Sequence, residues 1–402
     1  MAIAIQQVRL IDGTGRVVQP ATVIAREQRI VAAGPSRTVS IPRGATRVHG
    51  RGLTVLPGLI DCHVHLCWRG EADVVKATER ETATETLLKA SRSAGQTLEA
   101  GVTTVRDVGS RDHSIFALKK AIEKGLTPGP RIIGAGLAIC MIGGHLRRVI
   151  AKEVEGVEQV RQVVREQIDA GAEVIKVIAS GGVLTPGTSP DQAQMTPEEL
   201  SAAVDEAKDA GRKVAAHAHG ASGMKNAIRA GVHSIEHATL MDEEAAGLFE
   251  KYAVYIVPTL SALATTGACR RGCGIPDDAL EKAKAMTKRH QSSFRQAHHR
   301  GLLIAMGTDA GTPFNHHGDN AQELERMVAL GMSPMEAILA STSAAARLLG
   351  LETQIGTITP GKEADLLLVE GNPLRRIDVL RDRRRLVGVM QAGRFVAGDL
   401  AT

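Results

Sequence analysis

Two histidines separated by one residue, His63 and His65, follow an apolar run near the N-terminal end of the chain. Side chains at positions i and i+2 of a β-strand point to the same face, so a strand here would direct both imidazoles at one point. Imidazole nitrogens are good ligands for Zn²⁺, Fe²⁺ and Mn²⁺. The segment Asp61-Cys62-His63-Val64-His65 therefore predicts a pair of metal ligands, although two core or solvated histidines would give the same pattern.

Comparable groups end four other apolar runs. His217 and His219 repeat the i and i+2 spacing, His237 follows a glutamate, and Asp309 closes the run LLIAMGTD. A carboxylate beside a metal can both bind it and transfer protons. Lys176 lies inside the run VIKVI, where an ammonium group is costly to bury. It either extends to the solvent or is neutral and has reacted with carbon dioxide to form a bridging carbamate. Together these groups favour a metal-dependent active site.

The elements that must position these groups are eight short apolar runs. They lie between residues 57 and 347, except that the first run begins just before residue 57. Helical segments lie between most of them; one begins with Thr196 as N-cap, then Pro197, with Glu199 three residues after the threonine. This alternation predicts an α/β fold, a (β/α)8 TIM barrel, whose active site lies at the C-terminal ends of the strands. The eight runs are TVLPGLID, VTTVRDV, RIIGAGL, EVIKVIAS, KVAAHAH, VHSIEHA, VYIVPTL and LLIAMGTD.

The two ends of the chain have a different character. Residues 1–56 and 348–402 consist of short β-type runs separated by glycine, proline and aspartate turns. We expect both ends to form one small composite β-sandwich domain. The predicted organisation is therefore a β domain made of 1–56 and 348–402 around a barrel that spans 57–347.

The motifs of this sequence resemble those of a known family. It is similar to the amidohydrolase superfamily, and within it to the imidazolonepropionase-like branch that includes Xaa-Pro dipeptidases and related carboxypeptidases. The assignment to the branch depends on AGVTTVRDVG (100–109) and GGH (143–145). The motifs of the superfamily are LPGLIDCHVHL (56–66), Lys176, His217, His237, GTDAG (307–311) and GTITPGKEADLLLVEGNP (356–373).

The resemblance implies a binuclear site with two divalent metal ions, with Zn²⁺ as the expected metal, and a carbon dioxide-derived carbamate on a lysine. It places His63, His65 and Asp309 on the more buried ion, His217 and His237 on the more exposed ion, and carboxylated Lys176 between them. His219 would then lie behind the ligands or in solvent.

The implied mechanism is attack of metal-bound hydroxide on an amide carbonyl. Two cations that share a water lower its pKa enough to give hydroxide at neutral pH. Asp309 would take the proton and deliver it to the leaving nitrogen. His145, after the third strand, would help to polarise the carbonyl oxygen, as an equivalent histidine does in relatives; a loop histidine without substrate contact is the alternative.

Substrate contacts are the least defined part of the site. A relative that acts on dipeptides must hold a carboxylate, which arginine binds in a bidentate manner, and Arg147 and Arg148 directly follow His145. Trp68 and His317 could line the pocket. The expected substrates are small-molecule amides: Xaa-Pro dipeptides, C-terminal residues or N-acyl and aryl-acyl amino acids. Cyclic-amide, carbamate or ester hydrolysis is the alternative, and a non-catalytic binding protein is a weaker one because every ligand is present.

Composition excludes several other classes. The net charge of +5 is spread over 402 residues, and eight aromatic side chains offer few surfaces for stacking bases, so no nucleic-acid partner is expected. The absence of a long apolar run and of a secretory leader predicts no membrane partner. Five sparse cysteines, including Cys269 and Cys273, fit reduced thiols in a cytoplasmic protein. The arginine-rich segment 375–385 suggests a solvated face or a contact in a homo-oligomer. The only tryptophan, together with Phe314, could place an apolar group beside the metals.

Overall fold

The computed structural model describes residues 2–400. Strands and helices are numbered in chain order. The strands are β1 (Ala2–Ile11), β2 (Val17–Arg26), β3 (Arg29–Pro35), β4 (Thr46–His49), β5 (Leu53–Pro57), β6 (Leu59–Val64), β7 (Val102–Asp107), β8 (Arg131–Gly134), β9 (Ala138–Met141), β10 (Ala151–Val154), β11 (Val174–Ile178), β12 (Lys213–Gly220), β13 (Ser234–Leu240), β14 (Tyr255–Val257), β15 (Leu366–Glu370), β16 (Leu386–Gln391) and β17 (Arg394–Ala397).

The α-helices lie between the strands of the middle region for the most part. They are α1 (Val74–Arg80), α2 (Ala83–Glu99), α3 (Ser114–Glu123), α4 (Gly156–Ala170), α5 (Pro197–Asp209), α6 (Ala221–Ala230), α7 (Glu243–Tyr252), α8 (Leu260–Ala268), α9 (Asp277–His299), α10 (Gln322–Ala329), α11 (Pro334–Ala340) and α12 (Ser343–Leu349). Two short 3₁₀ helices, Ile377–Leu380 and Arg383–Arg385, precede β16.

Both ends of the chain contribute to one eight-stranded sheet. Its order is β17-β16-β15-β5-β1-β2-β3, with β4 beside β1. One contact between the two ends is the antiparallel pairing of β5 with β15, in which Val55 lies opposite Leu368. Side chains such as Val23, Val55 and Leu366 are fully buried in a cluster on this sheet. Strands from both ends thus share one sheet, whereas a composite sandwich domain made of the two ends stays a prediction.

Two parallel sheets occupy the middle of the chain. One has the order β10-β9-β11-β12-β13-β14 and the other β6-β7-β8. Their strands are almost entirely buried, because helices that follow the strands cover them, as expected for parallel sheets. The result is a mixed α/β fold in which small aliphatic side chains fill the core, which explains why eight aromatic residues suffice.

Three of the predicted strands differ from the observed ones. The run TVLPGLID is divided at Gly58, so that β5 joins the terminal sheet and β6 a parallel sheet. RIIGAGL is interrupted at Gly136, whose φ of 70° is incompatible with a strand. LLIAMGTD forms no named strand: Ile304 makes one isolated bridge to Ile256, and the backbone at Asp309 turns to a φ of 59°.

The predicted start of α5 is confirmed. The helix begins at Pro197, the Thr196 hydroxyl accepts a hydrogen bond from the Glu199 backbone N–H, and the Glu199 carboxylate accepts one from the Thr196 backbone. This capping box satisfies two N–H groups that would otherwise be free at the helix end.

The cysteine expectation is only partly met. Cys62, Cys67 and Cys140 are free and buried, but Cys269 and Cys273 form a disulfide. The chain turns after α8 ends at Ala268, and this turn brings the two Cα atoms to 6.4 Å, within the range that a disulfide spans.

Part of the arginine-rich segment binds the same chain. Arg381 contacts the carboxylate of Asp319 with Nε and Nη2 and also reaches Glu325, while Arg383 donates to the Gln96 carbonyl. Arg384, in contrast, has a side chain that is 90% exposed. The segment therefore attaches the C-terminal region to the helices beside it. Within residues 2–400, no helix combines the length and the apolar character that crossing a bilayer requires.

Candidate metal centre and active-site cavity

The first cluster of metal-ligand atoms joins the end of β6 to the segment before α10. Nε2 of His63 and Nε2 of His65 lie 3.4 and 3.3 Å from the same Oδ1 atom of Asp309. The left-handed backbone of Asp309 is held by its N–H, which donates to the His63 carbonyl, and by Asn315, whose side-chain amide donates to the Asp309 carbonyl. The three predicted ligands are thus brought together and buried.

The outer nitrogens of these two histidines are occupied by acceptors. Nδ1 of His63 lies 2.7 Å from Oε2 of Glu236, and Nδ1 of His65 lies 2.7 Å from the Gly109 carbonyl oxygen. Both Nδ1 atoms must therefore carry the proton, which leaves the Nε2 lone pairs facing a carboxylate oxygen. Within residues 2–400, that Oδ1 atom of Asp309 has no hydrogen-bond donor. Three lone pairs that converge on one buried point fit a cation.

Glu236 belongs to a buried ion pair that supports His63. Arg106 donates from Nη2 to Glu236, from Nη1 to the Ser234 hydroxyl, and from Nε to the Cys62 carbonyl. Burial alone would raise the pKa of Glu236, but Arg106, with smaller contributions from other cationic neighbours, holds it well below its usual range. Glu236 is therefore a carboxylate that can orient His63.

The second cluster lies at the ends of β12 and β13. His217 donates from Nε2 to the Gly181 carbonyl, at 3.2 Å, and its Nδ1 lies 2.9 Å from Nε2 of His237. Nδ1 of His237 is 2.7 Å from the Thr259 hydroxyl. Burial, followed by the neighbouring imidazoles, holds the pKa of both histidines well below the usual value, so both are neutral. Neutral imidazoles are the form that binds metals.

His219 is closer to this cluster than the sequence indicated. Its ring stacks on that of His237 with centroids 4.6 Å apart, and its Nδ1 contacts the Thr239 hydroxyl. The side chain is 4% exposed, so the option of a solvated histidine is wrong. The i and i+2 spacing with His217 was the signal, since it places both rings on one face of β12.

A buried glutamate fixes the segment that contacts His237. The carboxylate of Glu323 accepts hydrogen bonds from the backbone N–H groups of Leu260 and Ser261 and from the Ser261 hydroxyl. These bonds hold the first turn of α8 next to Thr259. Burial raises the pKa of Glu323 to about 7. Sequence reasoning did not identify this residue, because it lies some 60 positions from its partners.

Lys176 extends from β11 into the same space. Its Nζ atom is buried and, among residues 2–400, has no hydrogen-bond partner. Burial is the main cause that lowers the pKa of Lys176 to about 8. An amine without partners beside a carboxylate and several imidazoles is an unusual arrangement that a structural role does not explain.

Both clusters and Lys176 line one cavity. Among the residues that line it, Asp309 is the one carboxylate. Trp68 lies on the wall, with its ring 4.7 Å from that of His65, whereas Phe314 does not line the cavity and is 37% exposed. Much of the remaining wall is apolar and includes Val108, Leu146, Ile150, Val183, Leu184 and Leu263.

His145 lines the cavity as well. Its ring is 4.8 Å from that of His217, and its Nδ1 lies 2.8 Å from the Thr185 hydroxyl oxygen. Burial, the first cause, and nearby positive groups hold its pKa well below the usual value. A Cβ atom at Gly182 would lie 2.2 Å from Nε2 of His145, so the ring occupies space that only a glycine leaves.

The structure does not bring the other three predicted substrate contacts to the cavity wall. Arg147 donates to the Gly143 and Gly144 carbonyls, and the Arg148 side chain is 84% exposed. His317 is buried beneath the site and lies 3.1 Å from the His65 carbonyl oxygen. Their role in substrate binding stays a prediction.

Comparison with known proteins adds independent information. The amidohydrolase family profile matches residues 54–396. The crystal structure of a Xaa-Pro dipeptidase with bound methionine in the active site has a TM-score of 0.91 at 36% identity, over 99% of this chain and 100% of that chain. A prolidase complexed with N-methylphosphonate-L-proline has a TM-score of 0.91 at 32% identity, over 98% and 99%. The ochratoxinase of Aspergillus niger is 32% identical over 421 residues, 97% of this chain and 85% of the relative.

Parallel strands that end in clustered metal-ligand side chains, on a fold shared with these enzymes, define a hydrolase of carbon–nitrogen bonds. The chain belongs to the amidohydrolase family. The resemblance stated from the sequence is therefore confirmed. The two His/Asp and His clusters are candidate sites for the metals on which this family depends.

Proposed function

We propose that this enzyme hydrolyses the amide bond of N-acyl amino acids, Xaa-Pro dipeptides included, at a binuclear centre for which Zn²⁺ is the first candidate. The observation that carries the proposal is the convergence of two sets of candidate ligand atoms on one cavity. His63, His65 and Asp309 form one set, and His217 and His237 face each other in the other. Lys176 lines the same cavity.

The residues present fit two cations. Each of the four histidines directs one nitrogen at the other candidate ligand atoms of its cluster, while its second nitrogen contacts a carboxylate, a carbonyl or a hydroxyl, which is the usual arrangement behind metal ligands. The buried Oδ1 atom of Asp309 has no donor among residues 2–400. When bound, divalent cations would lower the pKa of a water and polarise an amide carbonyl.

Lys176 would complete the site as a carbamate. Its neutral amine nitrogen would form a bond to the carbon of carbon dioxide and release one proton to solvent, which changes a neutral amine into an anion with two oxygen ligands. The support is the buried Nζ without a partner, next to groups that favour cations. Incubation with ¹³C-labelled bicarbonate should give a carbamate signal in ¹³C NMR that is lost in Lys176→Met. Absence of the signal in active enzyme would exclude this part of the proposal.

The proton transfers are assigned to side chains on the cavity wall. Asp309 would accept the proton of the attacking water and deliver it to the leaving nitrogen, because its carboxylate is the one acid or base of that type at the cavity. His145 would donate a hydrogen bond to the carbonyl oxygen as negative charge develops there.

The cavity wall indicates the acyl side of the substrate. Its apolar side chains suit an aliphatic or aromatic acyl group. The ammonium group of a free dipeptide would find Asp309 as its only carboxylate partner, and burial of an unpaired charge is costly. Relatives named as a prolidase with an L-proline ligand and as an ochratoxinase support an amide next to an amino acid. N-acyl amino acids with apolar acyl groups should therefore be better substrates than free dipeptides.

The carboxylate clamp is kept as part of the proposal. To reach a substrate, Arg147 would have to break its hydrogen bonds to the Gly143 and Gly144 carbonyls. Arg148 would have to break its contact with Glu153. If Arg147→Met and Arg148→Met turn over N-acyl amino acids at the wild-type rate, the clamp is wrong and the amide-hydrolase proposal stands.

The decisive experiment is a substrate screen with Zn²⁺-loaded enzyme. N-acyl-L-amino acids, Xaa-Pro dipeptides, lactams, carbamates and esters should be compared by kcat/KM, with metal content measured on the same sample. We expect about two metal ions per chain and the highest kcat/KM for N-acyl amino acids. Metal-free active enzyme would overturn the binuclear centre, and preference for lactams or esters would overturn the substrate class.

We also infer that the parallel strands close into one barrel. The segment 303–310 hydrogen-bonds to Ile256 on one side and to Cys62 and His63 on the other. This supports a ring of eight members within residues 57–347 and a composite terminal domain made of 1–56 and 348–402. Two further predictions are that the protein forms a homo-oligomer and that it is cytoplasmic. Size-exclusion chromatography with light scattering would test the oligomeric state.

A further inference from the structure

The environment of His145 differs from that of the histidines beside Asp309. His63 and His65 each contact a group that can only accept at Nδ1, and so present a lone pair at Nε2. His145 instead contacts the hydroxyl of Thr185, which can donate or accept. Whether His145 offers a proton or a lone pair to the cavity therefore depends on the direction of this one hydrogen bond.

The other hydrogen bond of Thr185 decides the direction of its hydrogen bond with His145. Across residues 2–400, the Oγ1 atom of Thr185 has two hydrogen-bond partners, the Leu146 backbone N–H at 2.9 Å and His145 Nδ1 at 2.8 Å. The N–H of Leu146 can only donate, so the one acceptor within reach of the hydroxyl proton is His145 Nδ1. If Nδ1 carried a proton, the hydroxyl proton of a residue that is 7% exposed would have no acceptor, and a buried donor without a partner is costly.

We propose that Thr185 is a positioning residue that sets the tautomer of His145. It donates its hydroxyl proton to Nδ1, so that the neutral ring keeps its own proton on Nε2 and presents an N–H donor to the cavity. The inference rests on the proposed function for its purpose, since a donor at this place stabilises a carbonyl oxygen that gains negative charge. The opposite tautomer would present a lone pair and repel that oxygen.

Other contacts hold the ring in place. The backbone N–H of His145 donates to Gln194 Oε1 at 2.9 Å, and the glycine at position 182 leaves space for the ring of His145. These contacts fix the position of the ring but not its protonation. Among residues 2–400, Thr185 is the one that makes a hydrogen bond with a ring nitrogen of His145.

The test compares Thr185→Val, which removes the hydroxyl at nearly constant shape, with Thr185→Ser, which keeps it. In Thr185→Val we expect kcat on an N-acyl amino acid to fall about 10- to 100-fold, with KM within a few-fold and metal content unchanged. Thr185→Ser should recover most of kcat. A merely structural role would lower the unfolding temperature of both variants without this difference in kcat.

A second readout does not depend on activity. ¹⁵N NMR of histidine side chains, assigned with His145→Gln, should show the proton of His145 on Nε2 in the wild type and in Thr185→Ser. A wild-type ring protonated on Nδ1, or full kcat in Thr185→Val, would overturn the inference. If the screen finds no amide hydrolysis, the proposed function fails while the NMR result still decides the tautomer. The wild-type measurement is also sufficient if Thr185→Val does not fold.

Discussion

Replacement of Gly182 by alanine would test the placement of His145 in the cavity. The added Cβ would lie 2.2 Å from Nε2 and 2.4 Å from two carbons of the same ring. Ordinary contacts between such atoms begin near 3.4 Å, so the ring must move by about 1 Å. The φ angle of Gly182 is not in the left-handed region, so the backbone itself accepts alanine. The substitution should therefore act on the ring and leave the chain path unchanged.

The size of the effect follows from this displacement. A shift of about 1 Å in a group that contacts the reacting atoms costs about 100-fold in rate. Loss of one donor to a developing oxyanion costs about 100- to 1,000-fold in kcat. Thr185 contacts Nδ1 of the ring and Gln194 accepts from the His145 backbone N–H, so a displaced ring would lose its hydrogen bond to Thr185. We expect kcat of Gly182→Ala to be about 100-fold lower.

The assay is steady-state hydrolysis of the best N-acyl amino acid, with metal content measured in parallel. The matched control is Gly247→Ala in α7, where an added Cβ meets no atom within 4 Å; its kcat should equal that of the wild type. Wild-type kcat in Gly182→Ala would refute the reasoning. So would a loss of activity that is fully explained by lost metal, since Gly181 carries the carbonyl that contacts His217.

Three other outcomes are expected. Asp309→Asn should abolish turnover because the amide cannot accept the proton, and residual activity above a hundredth of wild type would contradict its assigned role. Glu236→Gln should weaken Zn²⁺ binding about 10- to 100-fold in a chelator competition assay, because an amide holds His63 less strictly; equal affinity would speak against the support by Glu236. Glu323 has a pKa raised from 4.5 to about 7, so the folded metal-free chain binds a proton between these values that the unfolded chain has lost. Its contribution therefore makes the free energy of unfolding fall as pH rises from about 4.5 to 7, and Glu323→Gln should flatten the profile obtained from urea unfolding; an unchanged slope would show that Glu323 does not titrate there.

The sequence predicts those candidate ligands whose spacing along one strand is itself a recognisable pattern. His63 and His65 share one strand face, and the ends of parallel strands meet at one edge, so spacing alone places these rings near Asp309. The supporting groups could not be predicted in this way. Arg106 reaches Glu236 from 130 positions away, and such a pairing leaves no periodicity in the sequence.

Substrate contacts were the weaker predictions for a related reason. Arg147 and Arg148 are adjacent to His145 in sequence, but adjacent residues in a loop point in different directions. Arg147 satisfies local carbonyls and Arg148 faces solvent. The fold followed the predicted alternation of strands and helices, and it departed where backbone geometry decides, as at Gly136 and at Asp309 with their positive φ angles.

The pairing of β5 with β15 has a consequence for synthesis of the chain on the ribosome. About 310 residues separate the two strands, and at 5–20 residues per second the second strand emerges roughly 15–60 s after the first. Throughout that time β5 offers an unpaired edge with apolar side chains such as Val55 and Leu56, the kind of edge that promotes aggregation. β15, translated about 310 residues later, is thus required to cover a strand that precedes the first candidate metal ligands, and a chain that stops before β15 would be prone to misassembly.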